Sequence, residues 1–191
     1  FRYRKAISFY VFFTMMFSGG TIPYFILTKR FLHLADTLWV LILPLMVVPM
    51  HVFLLRVFMQ SLPESLHESA VLDGANEFTI LGKIVIPLMK PGIATVAMFI
   101  LLMYWNDVFT AKLFISDTLL YPLQMVLDNY TEFINSLSSN AISAAMMGIT
   151  EVPSDAIMFA MCIIATGPML FVFLGFQKYF VSGLTMGAIK N

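Results

Sequence analysis

Four apolar stretches, each about as long as a membrane is thick, constrain this chain more than any other feature of its sequence. They run over about 6–27, 37–55, 92–109 and 156–176. A helix needs roughly 20 apolar residues to cross the hydrocarbon core of a bilayer. Inside lipid every backbone N–H and C=O group must be bonded within the protein, so we expect each span to be helical. The sequence therefore predicts an all-α integral membrane protein, a single transmembrane helix bundle over 1–191.

Helix breakers interrupt three of these stretches. Gly20 and Pro23 lie in the first, Pro44 and Pro49 in the second, and Pro168 in the fourth. Breakers at membrane depth are tolerated where neighbouring helices or a water-filled cavity bond the freed backbone groups. We therefore expect the broken stretches to face other protein or a cavity.

The composition agrees with lipid, rather than water, as the main solvent of the chain. Hydrophobic residues make up 60% of it and charged residues 12%, with a mean hydropathy of +0.88. Soluble domains are about half apolar and about a quarter charged. The 11 basic and 11 acidic residues give zero net charge, which offers nothing to attract a nucleic acid. Membrane lipids are thus an expected partner, and nucleic acids are not.

The basic residues predict how the bundle is oriented, because cytoplasmic loops are enriched in Lys and Arg. Eight of the 11 fall on one side of the predicted membrane, and they are Arg2, Arg4, Lys5, Arg56, Lys83, Lys90, Lys178 and Lys190. The other side holds Lys29, Arg30 and Lys112. We predict that the richer side is cytosolic. The loop 56–91 then faces the cytosol, and the segments 28–36 and 111–155 face outward.

The cytosolic loop has the pattern of two short helices that meet at a corner. Ser61 and Glu64 have the spacing of a capping box, which predicts a helix over about 62–72. Gly74 predicts its end, because glycine accepts the left-handed conformation that terminates helices. A second helix is predicted over about 76–86. Two amphipathic helices at a glycine corner would present their carboxylates to a partner.

The outward segment between the last two stretches is long for a loop, which favours a functional role. Apolar residues within it recur on one helical face, namely Leu123, Val126, Leu127, Tyr130 and Ile134. Asp128 and Glu132 fall on another face. This pattern predicts an amphipathic helix that lies over the outer mouth of the bundle.

The cytosolic loop resembles the EAA loop of binding-protein-dependent ABC importer permeases. The matching residues are Glu68, Ser69, Ala70, Asp73, Gly74, Ala75, Phe78 and Pro87. Three other segments resemble the MalG-type carbohydrate branch of that family, namely Phe13–Pro23, Tyr104–Asp107 and 176–190. The resemblance covers nearly the whole chain. Permeases of this family commonly have six spans, so two N-terminal spans are expected to be missing from the sequence.

The resemblance implies a bacterial cytoplasmic membrane protein with several spans and a cytoplasmic pair of coupling helices. Glu64 and the matching loop residues would contact two ABC ATPase subunits, which bind ATP and Mg²⁺. The chain itself would have no cofactor and no catalytic activity. Its further partners would be a second permease subunit and an extracytoplasmic solute-binding protein. The transported substrate would be a carbohydrate, an oligosaccharide or a larger glycan.

Four residues near the outer end of the third stretch are candidates for the translocation path. They are Tyr104, Trp105, Asn106 and Asp107. Amides, carboxylates and flat rings suit hydroxyl-rich sugars, and polar groups at membrane depth are often functional. A structural alternative is equally open, in which Trp105 belongs to an interfacial aromatic belt and its polar neighbours end the helix.

Three other functions remain open at this level. An ion-coupled secondary transporter would need buried ionisable residues in mid-span, where the sequence offers only His51, expected to be a neutral histidine bonded across the bundle. A membrane enzyme would need acid, base or metal ligands that converge at one depth, and the three dispersed histidines form no metal-binding motif. A permease for a solute other than a sugar would have the same loop.

The predicted orientation can be tested with single cysteines in intact cells. Asp73→Cys and Asp117→Cys would each be introduced after Cys162→Ala removes the one native thiol. An impermeant maleimide added from outside is expected to label position 117 and to leave position 73 unlabelled until the cells are opened. External labelling of position 73 would reverse the orientation.

Overall fold

The computed structural model describes residues 3–139 and 154–188. Its helices are α1 Arg4–Met16, α2 Thr21–Ile26, α3 Leu38–Ile42, α4 Pro49–Gln60, α5 Glu64–Leu72, α6 Glu77–Ile80, α7 Ile86–Leu88, α8 Lys90–Trp105, α9 Val108–Phe114, α10 Leu123–Ser139 and α11 Ser154–Ala188. A π-helical turn extends α2, and another, Leu81–Val85, joins α6 to α7. No strand occurs in these two ranges, so the predicted all-α class is confirmed there. Part of the predicted outer loop, 140–153, and the end of the C-terminal resemblance, 189–190, lie outside the described residues.

The described helices give between one and four candidate membrane spans. One helix alone, over Asp155–Lys178, is long and apolar enough to cross a membrane. Three pairs of helices separated by short breaks also meet that criterion when each pair is taken together, which gives up to four spans by length and composition. The four spans therefore stay a prediction. The third differs in its end, because α8 stops at Trp105 rather than near 109.

The predicted breakers act differently along the chain. Gly20 adopts a φ of +85° in the non-helical link between α1 and α2. Pro49 begins α4 after an extended Val48, as a proline does where its missing N–H has no helical partner. By contrast α11 continues through Pro168. Two of the three interrupted stretches are thus broken helices, and the fourth is a continuous helix with an internal proline.

The described residues group into two compact units, each with its own packing. The first unit comprises Phe1–Gly20, Leu45–Leu101 and Leu174–Asn191, and the second comprises Thr21–Pro44 and Leu102–Phe173. In the first unit α1 packs on α4. The rings of Phe12 and Phe53 meet edge-on with their centroids 6.4 Å apart, and Arg56 Nη1 donates to Ser8 Oγ at 2.7 Å. The hydroxyl accepts one of the guanidinium N–H groups and ties the end of α4 to α1.

The second unit is organised around Phe114, which packs with Val40 and Ile115 and meets the rings of Tyr24 and Phe25. Asp36 fixes the chain next to this cluster. Its N–H donates to the Phe114 carbonyl at 3.0 Å, and its carboxylate accepts the N–H groups of the next turn, Ser116 and Asp117. These donors, Ser116 above all, hold the pKa of the Asp36 carboxyl below its usual range.

The apolar stripe predicted on α10 is only partly right. Ile134 is buried, but Leu123 and Tyr130 are exposed, and the helix buries Met125 and Leu137 instead. On its polar side, α10 places Asp128 and Glu132 next to α9, where both carboxylates pair with Lys112. The hydrogen bonds to Asp128 and then to Glu132 raise the pKa of Lys112.

Close packing at Gly92 yields a stability prediction. A Cβ atom added there would lie 2.5 Å from Cγ and 2.9 Å from Cβ of Phe58. Cγ could move only by a change of rotamer, and Cβ cannot move without the backbone of α4. Gly92→Ala is therefore expected to destabilise the protein by about 1–3 kcal/mol, the usual cost of overpacking. Thermal unfolding of the detergent-solubilised complex measures this. Gly82→Ala is the matched control, because its added Cβ meets no atom within 4 Å. Equal melting temperatures for both variants would contradict the prediction.

Candidate functional site

The cytosolic loop begins differently from its predicted form. Helix α5 starts at Glu64 after an extended Pro63, and no side chain caps it. The predicted capping box between Ser61 and Glu64 is therefore wrong. Proline occupies the capping position, and the Ser61 hydroxyl instead donates to the Phe58 carbonyl at the end of α4, at 2.7 Å. The helix consequently starts two residues later than predicted.

The corner between the two helices has the geometry that its glycine predicts. Gly74 has a φ of +79°, its N–H donates to the Val71 carbonyl at 3.0 Å, and the Ala75 N–H donates to the Ala70 carbonyl at 3.0 Å. This pair of bonds is the Schellman motif, which satisfies the last carbonyls of a helix. Asn76 then caps α6 by accepting the Thr79 N–H at 2.8 Å. Both sides of the corner are thus fixed by hydrogen bonds.

The two helices bury one face and expose another. Ala70 and Ile80 are buried between them, and His67 Nε2 lies 3.6 Å from Glu77 Oε1 across the same junction. On the outside, Leu72 is 88% exposed and Phe78 is 86% exposed. We call the exposed set of Glu68, Leu72, Asp73 and Phe78 the loop tip. Large apolar side chains this exposed favour a surface that a partner covers.

The remaining residues predicted for this loop have local roles. The Ser69 hydroxyl donates to the Ser65 carbonyl one turn earlier, and Ala75 is half-buried at the corner. Pro87 is exposed within α7, and Glu64 and Glu68 are exposed and form no hydrogen bond or ion pair with any described residue. The loop therefore leaves two carboxylates available on its surface.

The sequence analysis did not single out Leu72. Its position could have indicated its exposure, because it is the last residue of a helix that ends at a glycine corner. A side chain at such a position has no following turn to cover it, so an apolar residue there is exposed unless another chain packs on it.

A groove of about 270 Å³ lies on the inner side of the loop. It is bounded by the end of α4, by α5 and by the segment from α6 to α7, and its apolar walls include Met59, Leu62 and Leu88. Glu64, His67 and Glu77 lie along it. The loop therefore presents two distinct surfaces, the exposed loop tip and this groove.

The four predicted pathway residues lie together at the end of α8 and in the turn to α9. Each makes a contact within its own unit. Tyr104 Oη donates to the Ile42 carbonyl at 2.7 Å, Trp105 Nε1 donates to the Ala165 carbonyl at 3.0 Å, and Asn106 Nδ2 donates to the Leu102 carbonyl at 2.8 Å. The Asp107 carboxylate caps α9 by accepting the Thr110 N–H at 3.0 Å.

These contacts give the segment a structural role that needs no ligand. The indole of Trp105 bonds α11 at the Ala165 carbonyl, three residues before Pro168. Asp107 starts α9, and Asn106 closes the last turn of α8. A role in the translocation path therefore stays a prediction, with Asn106, the most exposed of the four, as its best candidate.

Comparison with known proteins identifies the family. Residues 1–186 match the model of the binding-protein-dependent transport system inner membrane component. The chain belongs to this family, which consists of membrane components of transport systems.

Two relatives from Bacillus subtilis are similar over nearly the whole chain. Protein LplC is 41% identical over 95% of this chain and 60% of its own length. The polygalacturonan/rhamnogalacturonan transport system permease protein YtcP is 38% identical over 98% of this chain and 65% of its own length. The chain thus spans less than two thirds of the length of either relative.

A solved structure shares the fold. The crystal structure of a bacterial ABC transporter involved in the import of the acidic polysaccharide alginate matches with a TM-score of 0.76 and 29% identity. The match covers 94% of this chain and 63% of that one. The predicted class, an importer-permease helix bundle, is confirmed by this match and by the family.

The capping contact of Asp107 can be separated from any role of its charge. Asn caps helices about as well as Asp, whereas Ala loses the cap at a cost of about 1 kcal/mol. Asp107→Asn is therefore expected to keep the wild-type melting temperature in detergent, and Asp107→Ala to lower it. If both variants lose the same stability, the carboxylate does more than cap α9.

Proposed function

We propose that this chain is a membrane-spanning subunit of an ATP-driven importer of carbohydrates in a bacterial cytoplasmic membrane. Its substrates are oligosaccharides or larger glycans. A solute-binding protein delivers the sugar at the outer face, and a second permease subunit completes the path. Two ABC ATPase subunits, which bind ATP and Mg²⁺, supply the energy. The chain itself performs no covalent chemistry.

Family membership and the names of several relatives support the class of substrate. Beside the permease named for polygalacturonan and rhamnogalacturonan, the relatives include the arabinooligosaccharides transport system permease protein AraQ of Bacillus subtilis, 32% identical over 89% of this chain. The similar solved transporter imports an acidic polysaccharide. Sugars with and without acidic groups are therefore both candidates.

The loop tip is the observation that carries the proposal. Leu72 and Phe78 expose their apolar side chains beside the carboxylates of Glu68 and Asp73. A protein surface with an apolar cleft and basic groups at its edge would complement such a tip in both shape and charge. The proposal assigns such a surface to an ATPase subunit on the cytosolic side.

The hydrogen-bonded corner at Gly74 explains how such a contact would transmit motion. Because both helices are fixed at that corner, a force on the tip would move them together rather than bend the loop. The chain would then alternate between inward-open and outward-open states whose relative populations depend on the nucleotide state of the ATPases. Transport follows if the sugar and the binding protein have different affinities for these states.

An ion-coupled secondary transporter is the alternative outside the ABC class. It would transport without ATP and without the loop tip. Dependence of transport on ATP hydrolysis, measured in proteoliposomes that hold the complete set of subunits, distinguishes the two. A permease for a solute other than a sugar is tested by the same vesicles with a panel of solutes.

The loop tip gives a direct test of the proposed partner. Leu72 and Phe78 are almost fully exposed, so Leu72→Ala and Phe78→Ala cost the fold little. Each is expected to reduce co-purification of the ATPase subunits and ATP-dependent uptake, while the amount of permease in the membrane stays unchanged. Glu68→Lys is expected to have the same effect, by placing a positive charge against the basic edge of the cleft.

Leu119→Ala is the matched control, since Leu119 is 91% exposed but lies in the outward segment between α9 and α10. It should leave ATPase binding and uptake at wild-type levels. Normal ATPase co-purification and normal uptake in all three tip variants would refute the docking role.

A further inference from the structure

Among the described residues, one buried side-chain nitrogen or oxygen atom has no hydrogen-bond partner, and it belongs to the histidine in the second apolar stretch. His51 Nδ1 is enclosed by protein atoms and makes no hydrogen bond with any of them. The expected bond across the bundle is therefore not found within the described part of the chain. A buried polar group without a hydrogen bond is unfavourable in a folded protein, so its surroundings call for an explanation.

The unbonded Nδ1 atom indicates which ring nitrogen of His51 carries the proton. A buried unbonded N–H is rarer in proteins than a buried unbonded acceptor, which favours the tautomer with its proton on Nε2. Nε2 is not among the buried unbonded atoms and has no hydrogen bond to another described residue. The Nε2–H donor is therefore exposed at the surface of the first unit, which contains α4 and most of α8.

An aromatic ring lies beside this donor. Phe99 of α8 stacks on the imidazole with centroids 6.2 Å apart and planes within 8°. Phe99 is 46% exposed, so the stack leaves much of its ring uncovered. Together the two side chains present a hydrogen-bond donor next to a flat apolar surface.

The pair lies within the predicted membrane-spanning stretches. His51 lies four residues before the predicted end of the second stretch at 55, and Phe99 lies seven residues after the predicted start of the third at 92. At about 1.5 Å per residue, they are roughly 6 and 10 Å inside the predicted cytosolic boundary. His51 also follows the break before Pro49 by two residues. Broken helices within membrane spans form substrate sites in many transporters.

Lipid does not suit this surface, because hydrocarbon offers no acceptor for an N–H donor. A sugar can make both kinds of contact. Its hydroxyl and carboxylate oxygens accept hydrogen bonds, and the C–H faces of its rings pack on aromatic rings. Resting on the proposed function, we infer that His51 and Phe99 form a sugar-binding subsite on the translocation path, in which Nε2–H donates to a sugar oxygen and Phe99 packs against the ring.

The test uses the complete importer in proteoliposomes with trigalacturonate, alginate trisaccharide and maltotriose as probes. His51→Phe keeps a ring and removes the donor. It is expected to raise the apparent KM for the transported probe by about 2- to 10-fold, the equivalent of one hydrogen bond. His51→Gln places an amide near the position of Nε2 and should restore most of the affinity. His51→Asn reaches only the position of Nδ1 and should not.

The aromatic half of the subsite has its own test. Phe99→Leu keeps an apolar side chain but removes the flat ring, and it should also raise the apparent KM. Phe9→Leu is the control, because Phe9 is an exposed aromatic residue of the same unit with no place in the subsite. Its apparent KM should stay at the wild-type value.

Two outcomes would overturn the subsite. The first is an unchanged KM for His51→Phe at equal protein level. The second is poorer assembly of the complex with a normal KM in the complexes that form, which would show that the donor bonds a helix of a partner chain. Failure of the wild-type importer to move any probe with ATP would instead count against the proposed function.

Discussion

The need to bond every backbone polar group in lipid is the constraint on which the rest of this structure depends. It makes helices the only elements available, and it makes each helix end a problem to be solved locally. The side-chain cap at Asp107 solves it at the predicted outer end of the third span, and the Schellman bonds at Gly74 and the cap at Asn76 solve it in the predicted cytosolic loop. Where a helix breaks within a predicted span, as before Pro49, the freed backbone groups need partners from neighbouring helices or from a water-filled cavity.

The sequence predicts those features of the structure that depend on one residue and its backbone. Gly74 is one, because only a residue without Cβ accepts its φ cheaply, and the corner forms where the glycine stands. The capping box failed for a similar local reason, since Pro63 takes the position that the serine would need. The helical class followed from length and hydropathy alone.

Features that depend on neighbours in space could not be predicted from the pattern. The ion pairs of α10 depend on Lys112, which lies on a different helix and reaches two carboxylates one turn apart. The contacts of Tyr104 and Trp105 join residues about sixty positions apart. Whether Nδ1 of His51 has a hydrogen-bond partner depends on all the residues packed around it. The sequence therefore indicates a histidine within a predicted span, but not which of its atoms lacks a partner.

The hydrogen bonds of the Asp36 carboxylate determine how the outward segment responds to pH. Its carboxylate holds two backbone N–H groups in a segment predicted to lie outside the cell. A carboxyl whose pKa is lowered by folding adds stability above its unfolded value, and that stability is lost only as the pH falls through the lower, folded value. The turn at Ser116 therefore stays closed when the surroundings become mildly acidic.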